Sequence, residues 1–339
     1  MEFECLSDDV LLHIFSFLED GLFLLDVVPL VCKRWHRLAR EPDAWRGVEV
    51  KEEDLYNYDD HDMARLVLHA PFLRHAIRYS FPEGSAASEA LRRSGVVARE
   101  FHCCCVGMDH DFRDDRTAVL DLLYRSRHYC RRVSVSVTGP GGEDTSDSQG
   151  RSALQVLASL RALEDLDLYN CSNGMFPYAG ELAAGLPRLR YLGFFMDVFP
   201  EALMADLIRG SSATLRALVL FGIESLAPSV EESLSRCTEL ADLRIWEGCL
   251  SQVCRCWLPS LRRLSVTFTV DGEDDDDALD NAALFGSILD RCTRLPDSLR
   301  KITVKALGNT GNGRLFREKC ERLVSSFQRR RPRVAVCVP

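Results

Sequence analysis

Leu160-Arg161-Ala162-Leu163-Glu164-Asp165-Leu166-Asp167-Leu168-Tyr169-Asn170-Cys171 places apolar side chains at 160, 163, 166 and 168 and closes with a cysteine. The pattern returns along the chain. Leu186-x-x-Leu189-x-x-Leu192-x-Phe194 follows, then Leu215-x-x-Leu218-x-Leu220 and Leu240-x-x-Leu243-x-Ile245. Leu258-x-x-Leu261-x-x-Leu264-x-Val266 and Leu299-x-x-Ile302-x-Val304 complete the series. The middle positions 166, 192, 218, 243, 264 and 302 lie 26, 26, 25, 21 and 38 residues apart, a period of the length that marks repeat architectures. Weaker copies stand upstream at Ile77-x-Tyr79, Phe101-x-Cys103 and Val133-x-Val135. Between these strand-like segments, Arg113–Arg127, Pro200–Arg209, Ser229–Arg236 and Asn281–Arg291 read as helices. Strand then helix, repeated, predicts an α/β solenoid with parallel strands on its concave inner side and helices on its convex outer side. The tail Val334-x-Val336-x-Val338 alternates as a strand and is expected to close the open end.

Ahead of the repeats stands a different pattern, Leu6-Ser7-Asp8-Asp9-Val10-Leu11-Leu12-His13-Ile14-Phe15-Ser16-Phe17-Leu18. Ser7 is a helix cap, and Asp8 and Asp9 occupy the first turn, where the helix dipole favours negative charge. Val10, Leu11, Ile14, Phe15 and Leu18 then repeat at helical spacing as one apolar stripe. Pro29 suits the first turn of a second helical run that carries Val31, Cys32, Trp35 and Leu38, ends near Arg40 and is stopped by Pro42.

The repeats resemble leucine-rich repeats. The N-terminal segment resembles the F-box through its Leu-x-Asp-Asp start, Ile14-Phe15-Ser16-Phe17-Leu18, Val31-Cys32-Lys33-Arg34-Trp35 and the closing Trp45. It departs from that family at Ser7, where a proline is usual, so adaptor affinity is expected to be somewhat lower. The resemblance implies a helical F-box over 1–47 and a leucine-rich-repeat solenoid over 48–339, with loop insertions near 139–150 and 271–278. It implies a substrate receptor of an SCF-type ubiquitin ligase. Leu6, Val10, Ile14, Phe15, Leu18, Val31, Cys32 and Trp35 would dock a Skp-type adaptor and, through it, cullin and RING subunits. The chain itself would perform no covalent step. The alternative is a leucine-rich-repeat interaction scaffold that serves no ligase.

Side chains alternate along a strand, so residues flanking the buried leucines face outward. These are Asp165, Asp167 and Tyr169; Tyr191, Gly193 and Phe195; Ala217, Val219 and Phe221; Asp242, Arg244 and Trp246; Arg263, Ser265 and Thr267; Lys301, Thr303 and Lys305. Tyr169, Phe195, Phe221 and Trp246 share one position in four successive strands, which predicts an exposed aromatic row with carboxylates at one end and cations at the other. Tyr169, Tyr191, Phe195, Phe221, Arg244, Trp246 and Arg263 are therefore the candidate residues for holding a target protein, aromatics and arginines being the usual anchors of interfaces.

Composition narrows the function. The 339 residues are 46% hydrophobic and 27% charged, as in a soluble globular protein. A net charge of −9 argues against a general nucleic-acid partner. The apolar run from Val10 to Val31 is broken by His13, Glu19, Asp20 and Asp26, too polar for a membrane span. No secretory signal is recognisable, so the fourteen cysteines are expected as reduced thiols in the cytoplasm, or in the nucleus if Arg329-Arg330-Arg331-Pro332-Arg333 is an address. That basic cluster is better read as a solvated approach to the last strand. No catalytic set, cofactor motif or metal site is expected. The tightest cluster, His102-Cys103-Cys104-Cys105 with Asp109, His110 and Asp111, lacks zinc spacing.

Overall fold

The computed structural model describes residues 5–50, 59–77, 84–102, 115–136, 149, 152–169, 179–195, 200–269, 275–293, 295–307 and 313–337. The chain divides into two compact units, 1–188 and 189–339. The boundary between the units falls within the strand–helix series.

The first unit opens with four short helices, α1 (Asp8–Phe15), α2 (Gly21–Asp26), α3 (Val28–Val31) and α4 (Lys33–Leu38), and a 3-10 turn at Pro42–Trp45. Strand and helix then alternate: β1 (Glu49–Val50), α5 (Asp60–His69), β2 (Phe72–Ile77), α6 (Ala86–Arg93), β3 (Val97–His102), α7 (Arg116–Arg125), β4 (Arg132–Ser136), α8 (Ala153–Ala158), β5 (Asp165–Tyr169) and α9 (Ala179–Gly185). The second unit continues with β6 (Tyr191–Phe195), α10 (Glu201–Ser211), β7 (Ala217–Phe221), α11 (Pro228–Ser235), β8 (Asp242–Trp246), α12 (Leu250–Val253), β9 (Arg263–Thr269), α13 (Asp275–Cys292), β10 (Lys301–Leu307), α14 (Gly313–Arg330) and β11 (Ala335–Cys337). Within each unit the strands pair parallel and in chain order.

Register follows the leucines. In the first unit Phe101 opposes Val133, which opposes Leu166. In the second, Leu192, Leu218, Leu243, Leu264, Ile302 and Val336 face one another in turn. All but Val336 are buried. A slip of one residue would turn the whole set to solvent, so burial pins the pairing. Strands β7 to β10 are entered in the same way, by two successive N–H groups donating to the carbonyl just ahead of the preceding strand. Arg216 and Ala217 donate to Arg190, Ala241 and Asp242 to Arg216, Arg262 and Arg263 to Ala241, and Arg300 and Lys301 to Arg262.

Local chemistry explains the helices. Asp59, Ser85, Asp115 and Ser152 cap α5, α6, α7 and α8 with their side chains, and Ser152 with Gln155 forms a full capping box. The four expected helices are present as α7, α10, α11 and α13. Helices α5, α6, α8, α9, α12 and α14 were not legible from the pattern. α12 is one turn long, and in α6 (Ala-Ala-Ser-Glu-Ala-Leu-Arg-Arg) only one residue is large and apolar. Helix α13 starts at Asp275, so the far half of the acidic run, expected as loop to 278, is helix. Carboxylates in a first turn suit the dipole there. Residues 271–274 and 139–148, and the cluster from Cys103 to Asp111, lie outside the described residues, as do Tyr79 and Cys171.

Two further readings change. Cys32 is extended (φ −164°, ψ 169°), so the expected helix from Pro29 to Arg40 is split into α3 and α4. Gly21–Asp26 forms a helix of its own, because the Asp20 carboxylate accepts from the N–H groups of Leu22 and Phe23 at 2.9 and 3.3 Å. The basic cluster near the C-terminus is not simply solvated either. Arg329 and Arg330 end α14, and the Arg331 guanidinium donates to the carbonyls of Thr293, Leu295 and Pro296 at 3.2, 2.9 and 2.8 Å. The five-donor fork thereby satisfies carbonyls that follow the end of α13.

Candidate functional site

Helix α1 wears apolar side chains on two stripes. Leu11 and Phe15, four apart, are buried, Phe15 to 1% exposure. Val10 (42%) and Ile14 (41%), with Phe17 (70%) just past the helix end, follow at steps of four and three and are exposed. The expected single stripe is therefore two. Phe15 is corrected from a partner-facing residue to a core residue, its ring meeting Trp35 edge-on at 5.1 Å. Trp35, half-buried, supports the outward face rather than forming it. Leu6 and Leu18 are also half-buried, while Val31 and Cys32 are exposed.

Ser7 caps α1 as expected, its Oγ accepting from the Val10 N–H at 3.4 Å. Asp8 does more than favour the dipole. It receives Arg34 at 2.7 Å and Arg37 at 2.5 Å, fastening α1 to α4, and Arg34 also donates to the Leu6 carbonyl. Arg37 first, then Arg34, hold the Asp8 carboxyl below its usual range. Below the helices Trp45 is fully buried and its Nε1 donates to the Ala39 carbonyl at 2.7 Å. Gly47 follows where a Cβ would run into the Ser16 carbonyl oxygen, so the chain passes close beneath the loop after α1.

The outward set is larger than the sequence reading. Phe23, Val27 and Leu30 (82% exposed) join Val10, Ile14, Phe17 and Val31, so seven of the eleven large apolar residues exposed among the described residues fall between 10 and 31. So many large apolar side chains left exposed on one short segment point to an interaction surface. Phe23 was missed because no helix was read at Gly21–Asp26, whereas Leu30 lay in the helical run read from Pro29 and was not counted among its apolar positions.

Residues 5–50 match the F-box-like family. The exposed stripe and the Asp8 clamp both belong to this F-box-like domain. Among solved structures, the chain is similar to one in the crystal structure of the Rad7 and Elc1 complex in yeast. The likeness is at 13% identity, covers 88% of each chain and has a TM-score of 0.35. No curated protein matches the chain.

The candidate target-binding residues belong to β5 of the first unit and to the second unit. Tyr169 ends β5, half-buried, opposite Ser136. Its neighbour Asp165 is taken by Arg132 at 2.6 Å, so that carboxylate is locally neutralised. In the second unit the register sorts outward positions into rows. Tyr191, Ala217, Asp242, Arg263 and Lys301 form the first. Gly193, Val219, Arg244, Ser265 and Thr303 form the second, in which Gly193 and Val219 are buried, Gly193 lying between the larger Tyr191 and Phe195. The third brings Phe195 to Phe221 at 6.2 Å between ring centres, and Phe221 edge-on to Trp246 at 5.3 Å. Phe221 is 41% exposed, and Phe195 and Trp246 are half-buried. The chain then leaves β7 through Gly222, whose φ of +77° is one that side chains disfavour.

Asp242, 14% exposed, sits between Arg263 at 3.1 Å and Arg244 at 3.9 Å. Directly after Trp246, burial pushes the Glu247 carboxyl up, with Glu224 adding to the shift, and its Oε2 has no hydrogen-bond partner. Among the described residues no group of three His, Cys, Asp or Glu converges as a metal site, and no helix is long and apolar enough to cross a membrane.

Proposed function

We propose that the chain is the substrate-recognition subunit of an SCF-type ubiquitin ligase. Its F-box-like domain docks a Skp-type adaptor, which brings cullin and RING subunits, and its strand–helix units, read as a leucine-rich-repeat solenoid, hold a target protein. The observation that carries the reading is the double stripe of α1 on a segment matching the F-box-like family. One stripe completes the domain, and the other is left for a partner. The chain needs no catalytic group for this role, because holding a target beside a loaded enzyme supplies proximity.

Each large apolar side chain buried at the adaptor interface is worth about 1.5–3 kcal/mol. An Ile14→Asp, Leu30→Asp double variant should therefore lose adaptor binding by more than a hundredfold while keeping the circular-dichroism spectrum and melting temperature of the wild type. The test is co-purification of tagged wild type and variant with adaptor and cullin. Capture of both partners by wild type alone supports the reading. A folded wild type that brings neither, or the adaptor without cullin, would favour a scaffold that serves no ligase.

A further inference from the structure

Charge in the second unit is unevenly placed. The chain is acidic as a whole, at −9, yet cations line the edge from which its strands start. Arg216 and Arg262 directly precede β7 and β9, and Arg263 and Lys301 open β9 and β10. All four are exposed. The backbone holds the first two in place, since each carbonyl accepts two N–H groups of the following strand. Among the described residues no carboxylate pairs with Arg216, Arg262 or Lys301, and Arg263 meets only Asp242, which it shares with Arg244. The loops leading to this edge return Glu239 and Asp297, fewer than the cations they approach.

Phe221 and Trp246 stand at the other end of the face that Arg263 and Lys301 open, while Arg216 and Arg262 flank that face one residue before their strands begin. They lie four residues along the strands from the cationic row, about 13 Å away at the rise of a parallel strand. An extended peptide covers that distance in about four residues. The cations are spread over neighbouring strands about 4.8 Å apart rather than converging on one point. That spacing suits several carboxylates along a chain better than one phosphate. Four exposed cations on one edge make too small a basic face for general nucleic-acid binding.

We infer that this face binds an extended acidic protein segment, with a large apolar or aromatic anchor over Phe221 and Trp246 and a run of carboxylates about four residues away at Arg216, Arg262, Arg263 and Lys301. The inference rests on the receptor reading for its biological role, and on charge and spacing for the binding itself.

The test is fluorescence anisotropy with the full chain and synthetic peptides of about twelve residues. Each carries one Trp, a short Gly/Ser spacer, and four Glu, four Gln or four phosphoserines. The Glu peptide should bind and the Gln peptide should not. Arg262→Glu with Lys301→Glu, and separately Trp246→Ala, should each weaken binding at least tenfold, whereas Ile14→Asp should leave it unchanged. Equal binding of the Glu and Gln peptides, or of neither, would overturn the inference even if adaptor capture succeeds. Binding of the phosphoserine peptide alone, or displacement by single-stranded DNA at matched concentration, would overturn it in favour of a different anion. Selective Glu-peptide binding without adaptor capture would uphold this inference and remove only the ligase role.

Discussion

Glu247 carries a cost that can be read from its surroundings. A carboxylate oxygen buried without a hydrogen-bond partner is destabilising once charged, and burial holds its protonated form to a higher pH than usual. Its folded pKa is raised, so below the ordinary carboxylate range both folded and unfolded chains are protonated and nothing is lost. As pH rises through the folded value the charge forms in place and stability falls. Glu247→Gln should therefore raise the melting temperature at pH 7–8, and the gain should vanish below about pH 4. A variant no more stable than wild type at pH 8 would mean the carboxylate finds a partner in solution. Asp8 has the opposite sign. Its pKa is lowered by Arg37 and Arg34, so the clamp between α1 and α4 is complete at neutral pH and fails only as pH falls through a value below the usual one.

At the scale of the element, α1 separates two kinds of apolar residue that look alike in sequence. Phe15→Ala should destabilise the first unit by about 3–5 kcal/mol, the usual cost of emptying a buried Phe site. Val10→Ala, at an exposed position, should stay within about 0.5 kcal/mol. Chemical denaturation of the two variants side by side checks this, and similar losses would contradict the two-stripe assignment. What was legible in advance follows from the same contrast. Period 2 within strands and period 26 between them exposed every strand core from Leu166 to Ile302, since burial demands large apolar residues there. Val10 and Phe15 could not be told apart, because helical spacing gives a face and not the identity of what covers it. Helix α6 escaped because the Ser85 cap organises a segment in which only Leu91 is large and apolar. Cys32 escaped because nothing in its side chain announces an extended backbone.

Across the whole molecule, thiol chemistry should report folding. None of the ten cysteines in described segments is in a disulfide. Burial pushes the thiols of Cys130, Cys237 and Cys249 up to about 12, and that of Cys320 to about 11, while Cys5 and Cys32 are exposed. Thiolate is the reactive form, so a brief treatment with an alkylating reagent at neutral pH should modify Cys5 and Cys32 first and spare the other four until the chain unfolds. Peptide mass spectrometry reads the order directly, and early labelling of Cys237 or Cys249 would show that the second unit opens readily. In the second unit Cys237, Cys249, Cys292 and Cys320 serve as small core residues.

The outward stripe of α1, together with the exposed Leu30 of α3, also bears on how the chain behaves when made alone. Water meets several large hydrocarbon side chains that no neighbouring helix shelters, so separate copies should cling to one another and to chaperones as concentration rises. Supplying the partner during synthesis should keep the preparation dispersed. The yield of well-behaved material would then track the abundance of a second polypeptide rather than the folding of this one.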